Sequence, residues 1–134
     1  MGTWDAGSFG NDMAVDWTYG LDEGGTAYIE TALDAVMARG SSEIDAILGV
    51  EAVAAAEVVA RMRKRPGTKD SYSETADKWV ESHGRPPSPE LVHKATAAID
   101  RVSQPPSELL ELWQESGEDE WMDAINDLRE RLGG

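Results

Sequence analysis

Apolar residues along most of this 134-residue chain recur three and four positions apart, the spacing of one helix face. Ile29, Ala32, Leu33, Val36 and Met37 form such a stripe, with Thr26 placed to cap its start and Gly40 to stop it. A short helix is expected before it, over residues 12 to about 21. Asn11 would cap it, and Trp17 and Leu21 would share a face with Met13 or Ala14. The stretch "DEGGT" separates the two. Residues 50–64 are alanine-rich with small side chains on several faces, which predicts the central, most buried helix. The preceding "SSEIDAILGV" reads either as the opening of that helix or as a connecting turn, and Gly49 argues for a boundary.

The second half of the chain continues in the same way. Ser71 and Glu74 have capping-box spacing, with Ser73 a rival cap, ahead of Ala76, Trp79 and Val80 in a helix that stops near Gly84. "GRPPSP" is a stiff, extended linker. Ser88-Pro89-Glu90 then supplies a cap, a proline at the first helical position and an acid in the first turn. Leu91, Ala95, Ile99 and Val102 are the inner side of that helix, and "SQPP" breaks it. Ser107 is placed to cap a short helix bearing Leu109, Leu110, Leu112 and Trp113, and Ser116 stands three residues before Asp119, a capping spacing. The last helix carries a seam of Trp121, Ile125, Leu128 and Leu132, with Asp127 and Arg131 spaced to pair. No strand alternation and no fixed-period repeat is present. The pattern predicts an all-α fold: one domain over residues 1–134, a compact bundle of about six helices with short Gly/Pro/Ser-rich connections.

Composition changes this picture in one respect. Leu, Ile, Val and Phe total 24 of 134 residues at a net charge of −14, a combination found in disordered chains. Five tryptophans and the sustained helical spacing argue for a folded core. The absence of cysteine excludes disulfides and thiol nucleophiles and suits a reducing compartment. No signal-peptide pattern and no bilayer-length apolar run is present, so a cytoplasmic protein without a membrane partner is expected. Residues 1–60 hold eleven acids and one base, residues 61–102 nine bases and six acids, and residues 103–134 nine acids and two bases. Such acidity repels phosphates, so no nucleic-acid partner is expected. The dense basic run "RMRKRPGTK" reads as a helix C-terminus whose cations complement the dipole and pair with nearby acids.

Candidate chemistry is sparse. The opening "MGTWDAGSFGNDMAVDW" holds Asp5, Asn11, Asp12 and Asp16, oxygen ligands of the kind calcium or magnesium takes. Asp12 and Asp16 are the candidate metal ligands, one helical turn apart, although the spacing is not that of an EF-hand loop. A structural clasp explains the same residues: Trp4 and Phe9 tuck inward through a glycine-rich turn, Asn11 caps, and Trp17 docks the first helix. Glu57 falls among Val50, Val53, Ala54 and Val58 on a helical wheel, and a carboxylate there needs a partner. Arg61, one turn on, or a tryptophan indole N–H can provide it. A buried glutamate of raised pKa also suits acid–base work, but no second catalytic group is visible. His83 and His93 have no zinc-site spacing and read as surface or cap residues. No nucleophile elbow, phosphate-binding glycine loop or dinucleotide fingerprint is present, so no catalytic residue is assigned and no cofactor is expected.

The opening stretch, with Trp4, Gly7, Phe9, Asn11, Asp12, Ala14, Asp16 and Trp17, resembles the N-terminal signature of the bacterial domain of unknown function 4259 family. The resemblance continues through "AVAAAEVVA" around Glu57 and into "LLELWQESGEDEWMDAINDLRERL". It implies a small bacterial protein without an established activity, and it brings no catalytic residue or cofactor. Together these readings lead to a non-enzymatic acidic helical protein that acts by protein–protein contact, binding a basic partner as an inhibitor or immunity protein would. The alternative is a metal-dependent or acid–base enzyme that brings Asp12, Asp16 and Glu57 into one cleft.

Overall fold

A computed structural model describes residues 12–65, 73–83, 85–116 and 118–133. Among them are seven helices: α1 (Asp12–Thr18), α2 (Leu21–Met37), α3 (Ala46–Met62), α4 (Glu74–His83), α5 (Pro89–Val102), α6 (Glu108–Ser116) and α7 (Glu118–Arg131). No strand occurs among the described residues. The chain is an all-α bundle, and each of these seven helices falls on a segment that the helical spacing marks out.

α3 is the axis of the bundle and touches every other helix. Its side chains explain why. Ala52, Ala54, Ala55, Ala56 and Ala60 are fully buried, so neighbours approach from several sides at once. The expected boundary at Gly49 is not there, because α3 runs straight through it. A Cβ at Gly49 would lie 3.2 Å from Leu109 and 3.4 Å from Val102. The glycine therefore serves close packing of α3 on α5 and α6 rather than a stop. α3 is capped by Asp45, whose side chain accepts from the Leu48 amide at 3.0 Å.

α2 and α5 pack on α3 and on each other. The inner side of α2 is Leu21, Ile29, Ala32, Leu33 and Val36, while Met37, expected in the stripe, is 44% exposed at the helix end. α2 is kinked at Gly25, where φ is +59° and ψ −145°, one residue before the expected cap Thr26. An L side chain rarely adopts that backbone conformation, so the glycine makes the break. α1 ends at Thr18, three residues short of the expected limit, and Leu21 opens α2 instead.

α5 starts as its sequence predicts: Ser88 accepts from the Leu91 amide at 3.1 Å and Pro89 occupies the first turn. Leu91, Ala95, Ala98, Ile99 and Val102 face inward. A single parallel bridge joins Ile44 to Ser107, so α3 and α6 leave the same point side by side. The Ala46 amide donates to Glu108 Oε1 at 2.8 Å across that junction. Arg101 holds the two adjoining loops: its guanidinium donates to the carbonyls of Gly40, Ser42, Gln104 and Pro106 at 2.8–3.1 Å. On α6, Leu109 and Leu110 are buried but Leu112, expected on the inner side, is 40% exposed. The seam of α7 lies as predicted, with Trp121, Ile125, Leu128 and Leu132 all buried. Each such side chain contributes roughly 1.5–3 kcal/mol of apolar transfer.

Candidate functional site

Among the described residues, the buried charges of the bundle gather around Glu57. The helical wheel of α3 turns this residue inward, and its side chain keeps only 3% of its surface in solvent. Arg61 follows one turn later on α3, equally buried, with Nε 3.2 Å from Glu57 Oε2. Arg131, at the end of α7, closes the site from the other side. Its Nη1 and Nη2 donate to Oε2 and Oε1 of Glu57 at 2.7 and 2.8 Å, the two-pronged geometry that suits a planar guanidinium and a carboxylate.

The network extends in two directions. Arg61 Nη1 donates to Asp77 Oδ1 on α4, and Asp77 Oδ2 accepts from Ser73 at 2.8 Å. Ser73, the rival cap, immediately precedes α4 and its hydroxyl donates to Asp77, while Ser71 lies outside the described residues. Arg131 Nε donates to Asp127 Oδ2 at 2.8 Å, the one-turn pair predicted on α7. Burial acts against the Arg131 charge, but hydrogen bonding to Glu57 and its charge, followed by those of Asp127, outweigh it and hold the pKa above the ordinary arginine value. The network thus ties α3, α4 and α7 together.

Arg61, one of the partners expected for Glu57, is in place. Among the described residues arginines take the carboxylate, and Trp79 Nε1 is buried with no hydrogen-bond acceptor among them; Trp4 lies outside the described residues. The Trp79 ring lies against His83 instead, with centroids 4.1 Å apart, and His83 Nδ1 donates to the Trp79 carbonyl at 2.9 Å. The described part of the basic run, residues 61–65, spans the end of α3. Arg61 turns into the core, and Arg63 Nη1 donates to the Arg131 carbonyl at 2.8 Å.

The N-terminal candidates fare unequally. Trp4, Phe9 and Asn11 lie outside the described residues, as does the side chain of Asp12, whose backbone opens α1. Asp16 is exposed on α1, and no hydrogen bond or ion pair joins it to Glu57. Trp17 is buried, and its ring stacks on Tyr28 with centroids 4.8 Å apart. Among the described residues, no group of three or more His, Asp or Glu side chains is gathered closely enough to hold a metal ion. No helix of the described residues is long and apolar enough to cross a membrane.

Two members of the site escaped the sequence reading. Arg131 was visible only as the partner of Asp127, and nothing local points to a carboxylate 74 residues away. Asp77 carries no signal beyond lying one turn after Ser73.

The family model described as a domain of unknown function (DUF4259) matches residues 2–124 of the chain. No curated protein and no solved structure matches it. The chain belongs to that family.

Proposed function

We propose that this member of the DUF4259 family acts by protein–protein contact, as a non-enzymatic acidic protein that binds a basic partner in the manner of an inhibitor or immunity protein. The observation that carries the reading is where the cations go. Arg61 and Arg131 are spent on Glu57, Asp77 and Asp127, Arg129 on Asp100, and Lys94 on Glu30 and Asp34. Arg63 and Arg101 are held by backbone carbonyls. Glu111, Glu115, Asp119, Glu120, Asp123 and Glu130 on α6 and α7 stay exposed, and none pairs with a described cation. A surface of this sign steers a positively charged protein and speeds its association. The same charge disfavours nucleic acid as the partner.

The engagement of both Glu57 oxygens by guanidinium groups also supports this reading over an acid–base enzyme built on Asp12, Asp16 and Glu57. A pull-down with the immobilised chain at low and at high salt tests the proposal. A basic protein retained at low salt and released at high salt is the expected result. Retention of nothing, or retention indifferent to salt, overturns it.

A further inference from the structure

Tyr28, Glu51 and Ile47 make up a second charged locus, on the seam between α2 and α3. Tyr28 is held rigidly. Its hydroxyl donates to the Trp17 carbonyl at 2.6 Å, and its ring stacks on Trp17 at an interplanar angle of 19°. Gly20 and Gly24 leave room for it, since a Cβ at either position would collide with Tyr28. Tyr28 as a whole is partly buried. Next to it is Glu51, half-buried on α3. No described residue donates a hydrogen bond to its carboxylate or forms an ion pair with it. Burial, then the nearby charge of Asp45, raises the Glu51 pKa above the ordinary glutamate value. Burial, then the Glu51 charge, does the same to Tyr28. One turn before Glu51, Ile47 is 56% exposed, and Tyr19, adjoining Gly20, is 62% exposed.

We infer that this seam is where the basic partner docks, and that it receives an arginine side chain. The inference rests on the binding function proposed above. An arginine matches each part of the locus. A guanidinium lies flat on a tyrosine face and forks onto a carboxylate, and its aliphatic stem covers an exposed isoleucine. It also supplies the positive charge that Glu51 and Asp45 lack among the described residues. The acids of α6 and α7 guide the approach, and the Tyr28–Glu51 locus fixes the register.

The test uses the full chain, acetyl-tetra-arginine amide as probe, and amide chemical-shift mapping at low salt. Saturable binding with shifts centred on Tyr28, Ile47 and Glu51 is expected. Glu51→Gln is nearly isosteric and breaks no existing contact, so the fold is kept. It should weaken the probe about fivefold, the size of one partly desolvated charge pair. Glu120→Gln, on the outer side of α7, should weaken it less than about twofold. Shifts centred elsewhere, or equal weakening by the two variants, overturn the docking locus and leave the binding function standing. The absence of any saturable binding to the wild-type chain overturns both.

Discussion

Replacing Arg131 by methionine removes the two-pronged partner of Glu57 and keeps most of the apolar stem. Removing one member of a buried ion pair costs about 3–5 kcal/mol, because the remaining charge is left in a medium that solvates it poorly. Two features of this site lower that figure. Arg131 keeps 14% of its side chain in solvent, so water reaches part of the space it vacates. Arg61 stays 3.2 Å from Glu57, so the carboxylate retains one cation. A loss of about 2–3 kcal/mol is therefore expected, which lowers a urea midpoint by roughly 1–2 M at a slope typical of a small domain. Far-UV circular dichroism during urea unfolding measures it.

The single variant alone does not separate lost packing from lost charge, so a double-mutant cycle with Glu57→Gln is the sharper measurement. Glutamine cannot form the charged fork, so Arg131→Met should cost much less in the Glu57→Gln background. A coupling of at least about 1.5 kcal/mol is expected for groups in direct, partly desolvated contact. A coupling below about 0.5 kcal/mol would refute the account, because the two side chains would then be acting independently. Helix α7 itself should stay folded in the single variant, since Trp121, Ile125, Leu128 and Leu132 still bury its inner side.

Further expectations concern backbone clamping and pH. Arg101→Lys replaces a fork that reaches four loop carbonyls with a single ammonium, and a loss of about 1–2 kcal/mol in the same urea assay is expected; an unchanged midpoint would mean that the loops hold themselves. For Glu51 the folded state binds its proton more tightly than the unfolded chain does. The penalty is therefore absent below the unfolded pKa and complete above the folded one, so stability falls as pH rises through that window. Glu51→Gln should match wild type in acid and become the more stable of the two at neutral pH; the opposite ordering at neutral pH would mean that the Glu51 charge has a cation partner. Arg131 should contribute no pH dependence at or below neutrality, because its pKa is raised and its stabilising charge is lost only far into the alkaline range.

Helices were legible because their signal is local. Ser88-Pro89-Glu90 begins α5 through chemistry contained in three residues, and the seam of α7 reads directly from its spacing. The burial of Glu57 was legible for the same reason, since its neighbours on the wheel are valines and alanines, and so was Arg61 one turn away. What failed was tertiary. Glycine carries two local meanings, helix stop and close approach, and only the position of Leu109 shows that Gly49 has the second. Leu112 and Met37 obey the helical period yet sit at the margins of the buried side, where the neighbouring helices no longer cover them. Arg131 finds Glu57 only after α7 has docked. The four acceptors of Arg101 are backbone carbonyls, which every residue has, so no residue type marks them in advance.

The inward placement of arginines has a consequence for how the fold responds to salt. A chain of net charge −14 repels itself when compact, and because the buried cluster of Glu57, Arg61, Arg131 and Asp77 holds two charges of each sign, the excess of acids stays on the outer surface. Surface repulsion acts over distances comparable with the Debye length, about 8–10 Å at physiological ionic strength, so added salt weakens it. The Glu57–Arg131 pair is in contact and largely shielded from ions, so salt touches it little. The two effects separate in one experiment. From about 0.02 M to 0.3 M sodium chloride the urea midpoint of the wild-type chain should rise, while the deficit of Arg131→Met against wild type stays constant. A midpoint that falls with salt would place the balance of the surface on its attractive pairs, Lys94 with Glu30 and Asp34 and Arg129 with Asp100, rather than on the unpaired acids of α6 and α7. That result would also remove the physical basis for electrostatic steering, because a surface neutralised by its own pairs has little field left to offer a partner.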